Sequence, residues 1–169
     1  FPMPAPNALI QSLLDPTKPT FLFGCTPPSS SLTPAKVSGI CNKFVERGRV
    51  LAVDGFIVYD VQDESSRTED KRPFPFRTLH DSSWYAGLVM SESGKGCVVY
   101  KAAPCDANFE SWLADSVGRD GHTALTVVGA PSSKSKQPGP STKSACKMVV
   151  PYEGIHFGCV CIAERHLKH

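Results

Sequence analysis

Charge of one sign, long apolar runs and the spacings that mark metal or nucleophile sites are all scarce in this chain. Net charge is +2 over 169 residues, too small to leave an electrostatic footprint for nucleic acid or an anionic membrane. No apolar run approaches the roughly 20 residues that span a bilayer. No Cys-x-x-Cys occurs, which removes zinc-ribbon and thioredoxin readings. HExxH, GxSxG and GxGxxG are missing too, and no paired metal-ligand spacing is found, so no metal site is expected. His80, His122, His156 and His169 stand alone and read as structural or exposed. The chain also lacks an initiating Met. It opens on Phe1, and the expectation is that an upstream segment was removed or lies outside the sequence.

What is present describes one ordinary domain. The apolar fraction of 41% and the charged fraction of 20% suit a chain able to bury a sizeable core. Seven cysteines are many for this length. Cys25, Cys97, Cys159 and Cys161 lie in or beside apolar runs, and Cys41 lies in a helical pattern, where a thiol acts as a small hydrophobe. Cys159 and Cys161 have the period-two spacing that puts two sulfurs on one strand face. That pair can hold a soft metal, but core filling is the commoner use. The expected location is intracellular, in the cytoplasm or an organelle matrix where thiols stay reduced.

Strand-like and helix-like patterns alternate along the chain. Residues 1–19 read as a proline-rich arm with a short helix near 8–14, and residues 20–169 as one continuous α/β unit. Strands are expected near 20–26, 53–61, 97–103, 123–129 and 154–161, each apolar throughout, as strands covered on both faces are. Helices are expected from Thr33-Pro34 to Gly48, near 81–91, after an Asp106 cap, and near 142–150. Residues 132–144, rich in Ser, Lys and Pro, read as a mobile loop. This order argues a parallel sheet with helices outside.

Chemistry in parallel α/β proteins collects at the carboxyl ends of the strands. The groups gathered there are Thr26, Asp60, Gln62, Asp63, Glu64, Arg67, Lys101, residues 132–135, Glu164 and His166. Glu164 and His166 emerge together from the last strand, spaced to point the same way; a solvated Glu-Arg-His turn is the bland alternative. Asp60 with Gln62–Glu64 is the densest polar set, suited to binding a small ligand's amide or hydroxyl groups or to capping the next loop. Lys101 ends an apolar strand. Inside a barrel it needs Asp60, Glu64 or a ligand anion, but a lone lysine at a strand end more often snorkels to water, and snorkelling is the expectation. The 129–134 segment offers amides and a cation to phosphate without P-loop spacing.

The order of these motifs resembles the N-terminal part of the methylenetetrahydrofolate reductase superfamily, flavin-dependent TIM barrels. Phe23-Gly24-Cys25-Thr26-Pro27-Pro28 is similar to that family's first strand, Phe-Glu-Phe-Phe-Pro-Pro. Val127-Val128-Gly129-Ala130-Pro131 is similar to Leu-Arg-Gly-Asp-Pro of its fourth strand. Cys159 to His166 is similar to Val-Ala-Ala-Tyr-Pro-Glu-x-His of its fifth. The resemblance implies a TIM-like (β/α) barrel of which about the first five βα units are present. It implies FAD, a folate or related one-carbon substrate, and Glu164 with His166 as the proton-transfer or ligand pair. It also implies a second polypeptide or a C-terminal half to complete the barrel, since eight units take roughly 250 residues. Gly24 stands at the family's catalytic glutamate position, Val128 and Ala130 replace its arginine and aspartate, and Ile162 replaces its aromatic residue. Two functions follow from the resemblance: a flavin-dependent oxidoreductase of folate metabolism, or a non-catalytic subunit of a larger assembly that reuses the barrel.

Overall fold

The structure is a computed structural model, and it describes residues 7–60, 78–117, 124–128, 139–151 and 156–160. The elements run α1 (Asn7–Leu14), β1 (Leu22–Cys25), α2 (Pro34–Val50), β2 (Gly55–Asp60), α3 (Ser82–Ser93) and β3 (Cys97–Lys101). A short 3-10 turn (Ala103–Cys105), α4 (Phe109–Val117), β4 (Ala124–Val128), α5 (Thr142–Val149) and β5 (His156–Val160) complete them. The sheet has five strands in the order β1-β2-β3-β4-β5, and every neighbouring pair is parallel. Each parallel step needs a crossover, and crossovers of one hand in sequential order put their helices on one face.

Core contacts place the helices on that single face. Val37, Cys41, Phe44 and Val45 of α2, Tyr85, Ala86 and Val89 of α3, Phe109 and Leu113 of α4, and Ala145 and Val149 of α5 join one buried cluster. From the strands, that cluster takes Phe56 and Val58 of β2 and Cys97 and Val99 of β3, with Phe23 and Cys25 of β1 against its edge. The next residue along each strand therefore faces the other way. There Leu22, Ile57 and Val98 meet Leu9 and Ile10 of α1. The expected apolar strands and outer helices are present; where both ends are described, β1 is shorter by two residues at its start and one at its end, and β3 by two at its end.

Helix boundaries follow local chemistry. Thr33 occupies the N-cap of α2 in extended conformation with Pro34 at the first helical position, although its hydroxyl makes no capping bond. Asp81 caps α3 by accepting from the Trp84 N–H, and Gly94 closes α3 at φ 69, a left-handed position that glycine takes without strain. The sequence reading ended α2 at Gly48, but the helix continues to Val50. Gly48 is a contact residue instead of a stop: a Cβ there would lie 2.5 Å from Phe56 Cε1. Ser141 caps α5, so Thr142, Lys143 and Ser144 of the expected loop form its first turn. Residues 132–138 of the expected loop lie outside the described residues.

Candidate functional site

Behind the sheet, at the carboxyl ends of β2 and β3, sits a buried ionic cluster. Parallel register sets Asp60 directly beside Lys101. Their relative exposures are 8% and 5%, and the Lys101 ammonium forms an ion pair with Asp60 Oδ2. A second ion pair, 2.7 Å long, reaches Asp106 Oδ2 in the turn before α4. The ammonium also lies 4.4 Å from the centre of the Trp112 ring. Trp112 Nε1 donates to Asp81 Oδ2 at 2.8 Å, so the cluster links β2, β3, α3 and α4. Burial acts to lower the Lys101 pKa, but the Asp60 charge and the bonds to Asp106 and Asp60 outweigh it, and the net shift is upward from 10.5.

This overturns the snorkelling expectation for Lys101. A strand-end lysine escapes to water only if its stem meets solvent. Here Trp112 and the 103–106 turn cover it, and two carboxylates make burial tolerable. Asp106, expected only as a helix cap, accepts from the Asn108 N–H with one oxygen and holds Lys101 with the other. Gly139 secures the turn from outside. Its N–H donates to Pro104 O at 2.9 Å, and a Cβ would run into the carbonyls of Ala103 and Asp106.

In front of the sheet the surroundings differ. Tyr59 and Tyr100, the residues just before Asp60 and Lys101, are paired in register and project from the opposite face. Both are half-buried, and their rings meet edge to face with centroids 5.2 Å apart. The Tyr59 ring lies over exposed Gly24 of β1, where a Cβ would stand 2.6 Å from Tyr59 Cε2. Helix α1 plugs only the amino-terminal end of this face: Leu9 rests against Gly55, and Leu9 and Ile10 bury Val98. Among the described residues no element covers the carboxyl-terminal end.

Of the residues expected to form a site, the structure joins Asp60 and Lys101 and separates Thr26 from them. Thr26 lines an open cleft of about 630 Å³ with Pro27, Ser30, Leu32, Ile40 and Thr78. That cleft forms because Ser30 N–H donates to Thr78 O and His80 N–H to Pro28 O, tying the loop after β1 to the segment before α3. His80 stacks near Trp84, with ring centroids 4.9 Å apart. Gln62, Asp63, Glu64, Arg67, residues 129–135, Cys161, Glu164 and His166 lie outside the described residues. Tyr59 and Tyr100 were missed. The available signal was their shared position, each one residue before a charge at the end of an apolar strand.

Cys41 and Cys97 are buried and Cys25 packs against the same core, as expected of small hydrophobes; Cys161 and the side chain of Cys159 lie outside the described residues. Cys25, Cys41, Cys97 and Cys146 stand outside any disulfide. Burial, then the neighbouring Cys41 thiol, pushes Cys25 up to about 12. Cys41 rises to about 11 through burial and the Glu92 charge, against a bond to Tyr85. Burial also raises Cys97. Such thiols carry almost no thiolate near neutrality. We expect Cys25, Cys41 and Cys97 to resist iodoacetamide at pH 8 in the folded chain and to react after denaturation, as peptide mass mapping would show; rapid labelling of Cys41 or Cys97 without denaturant would contradict their burial. Among the described residues no group of three or more His, Cys, Asp or Glu is placed to hold a metal, and no helix is long and apolar enough to cross a membrane.

Among the described residues at these strand ends, Tyr59 and Tyr100 present rings and hydroxyls on one face, and Lys101 is held behind the sheet by two carboxylates. No protein-family model matches the chain, and a search of curated proteins finds none similar to it. Among solved structures, an uncharacterized protein from Clostridium thermocellum that binds two copies of 5-methyl-5,6,7,8-tetrahydrofolic acid superposes with a TM-score of 0.69. The two are 22% identical, and the match covers 95% of this chain and 50% of that one. The likeness is one of fold, and this chain spans half the length of its neighbour.

Proposed function

We propose that this chain is a folate-binding unit: about five βα units of a TIM-like barrel of the methylenetetrahydrofolate reductase type, holding a reduced folate at the carboxyl ends of its strands. The observation that carries this reading is the fold match to a protein that binds 5-methyltetrahydrofolate, which extends over nearly all of the chain. Sequential parallel order and the crossover helices α2 to α5 on one face support the barrel part, because a doubly wound sheet reverses its order and carries crossover helices on both sides. A second polypeptide, or a C-terminal half, would pair with the outer edges of β1 and β5, since a parallel sheet is normally buried on both faces. Free thiols suit a reducing compartment.

Binding without turnover is favoured over a flavin-dependent reductase. Gly24 stands where the resemblance calls for a catalytic glutamate, and the Tyr59 ring fills the space such a side chain would enter. A role as the ligand-holding, non-catalytic subunit of a larger assembly needs no proton donor at that position.

The test is isothermal titration with 5-methyltetrahydrofolate, paired with thermal melts. Saturable binding and a melting temperature that climbs with ligand are expected; at 100-fold excess over Kd the linkage gain is about 2.7 kcal/mol. No heat and an unmoved melt at millimolar ligand would sink the folate reading.

A further inference from the structure

We infer that the Tyr59–Tyr100 pair, on the sheet face opposite the helices, is a stacking subsite for the planar pyrimidinone ring of a pterin. The ligand's identity rests on the folate reading above; the place and chemistry of the subsite rest on the fold. Two half-buried tyrosines in register on adjacent strands present ring surface and two hydroxyls together. Each hydroxyl can donate and accept, which suits a ring edged with amide and amino groups. Gly24 lets the Tyr59 ring lie directly against the neighbouring strand, since a side chain there would run into the ring. Helix α1 seals the lower part of the same face with Leu9 and Ile10 and stops short of the tyrosines. Among the described residues the face is therefore closed by α1 at one end and uncovered at the end where parallel sheets bind ligands.

Among the described residues the opposite face offers no rival seat for a ring at these strand ends. There the Lys101 ammonium is already bound to Asp60 and Asp106 and covered by Trp112. That buried pair locks β2 against β3 one residue beyond the tyrosines, so the two rings keep their spacing.

Three probes separate the parts of a folate: 5-methyltetrahydrofolate, pterin alone, and p-aminobenzoylglutamate, which lacks the bicyclic ring. Each is titrated into the full chain and into Tyr59→Ala, Tyr100→Ala, Tyr59→Phe and Gly24→Ala, with melts recorded for all. Losing one ring face is expected to weaken the folate and pterin about tenfold, within the range measured for bases stacked on aromatic side chains. Tyr59→Phe keeps the ring and is expected to stay within about threefold of wild type, by the same stacking argument. Gly24→Ala, which keeps both tyrosines but displaces the Tyr59 ring, is expected to weaken pterin with little change in melting. Affinity for p-aminobenzoylglutamate is expected to be the same in all. If pterin binds and 5-methyltetrahydrofolate does not, the folate reading fails and the ring subsite stands. If 5-methyltetrahydrofolate binds equally to wild type and to folded alanine variants, the subsite is overturned while the folate reading survives. Wild-type protein that binds no pterin overturns the subsite as well.

Discussion

Lys101→Met is expected to destabilise the chain by about 3–5 kcal/mol, because it leaves the Asp60 carboxylate buried without its cation. Asp60 is 8% exposed, so water cannot replace the ammonium. Asp106 suffers less, since its side chain is 25% exposed and can turn to solvent. Removing both charges in Asp60→Leu with Lys101→Met is expected to recover most of the loss, because a well-packed apolar pair no longer carries the desolvation cost. Chemical denaturation of the single and double variants reads both numbers. A single variant within about 1 kcal/mol of wild type, the level of an exposed pair, would show that the cluster is solvated.

The same cluster sets an alkaline limit. A group whose pKa is raised by folding contributes stability that is complete below its unfolded value and is lost as pH rises through its folded value. The Cys25 and Cys41 thiols belong to this class, starting from 9.0 and held near 12 and 11. Lys101 belongs to it too, raised from 10.5. Stability should therefore be level across neutral pH, decline above the ordinary thiol pKa of 9.0, and decline more steeply beyond 10.5. Lys101→Met should keep the first decline and the share that Tyr85 adds, its pKa raised from 10.0 by burial, and lose only the share that belongs to Lys101.

Phe56→Ala is expected to cost about 3–5 kcal/mol, the usual price of emptying a buried aromatic site. Phe56 is 1% exposed and is the second residue of β2. Its ring packs 5.2 Å from Phe44, which stacks in turn on Phe23 at 4.9 Å, so one residue joins β1, β2 and α2. The backbone of Gly48 closes on the same ring, and neither helix nor strand can collapse far into the space left behind. A domain is typically stable by 5–15 kcal/mol, so this one change takes a large part of the whole. A midpoint that hardly moves in urea would mean that the α2–β2 contact is looser than its geometry implies.

Much of the framework could be read before any coordinates. The runs Thr20 to Thr26, Val53 to Val61 and Cys97 to Ala103 are apolar on both faces, and each contains an observed parallel strand. Of the caps expected from sequence, Thr33 holds the start of α2 without a side-chain bond and Asp106 accepts from the Asn108 N–H just ahead of α4, whereas Asp81 and Ser141, whose side chains do bond their helix starts, were not singled out. The same uniform apolarity hid the site. A strand covered on both sides carries no alternation to say which residues face the helices, so Asp60 and Lys101 were gathered toward a ligand although they pack behind the sheet. Tyr59 and Tyr100 passed as ordinary strand formers. Only the register of β2 on β3, a non-local fact, pairs them. The pairing of Lys101 with Asp106 depends likewise on a 3-10 turn whose path Gly139 helps to hold from more than 30 residues away.

The central claim is that a folate ring sits on the uncovered face of the sheet and not among the charges behind it. Aromatic NMR resonances, assigned through the tyrosine and tryptophan substitutions, place the ligand directly when 5-methyltetrahydrofolate is titrated in. The account predicts that the Tyr59 and Tyr100 ring signals move with saturation, while the Trp112 indole N–H, bonded to Asp81 on the far side, stays where it was. Saturable shifts at Trp112 with both tyrosines unmoved would contradict it.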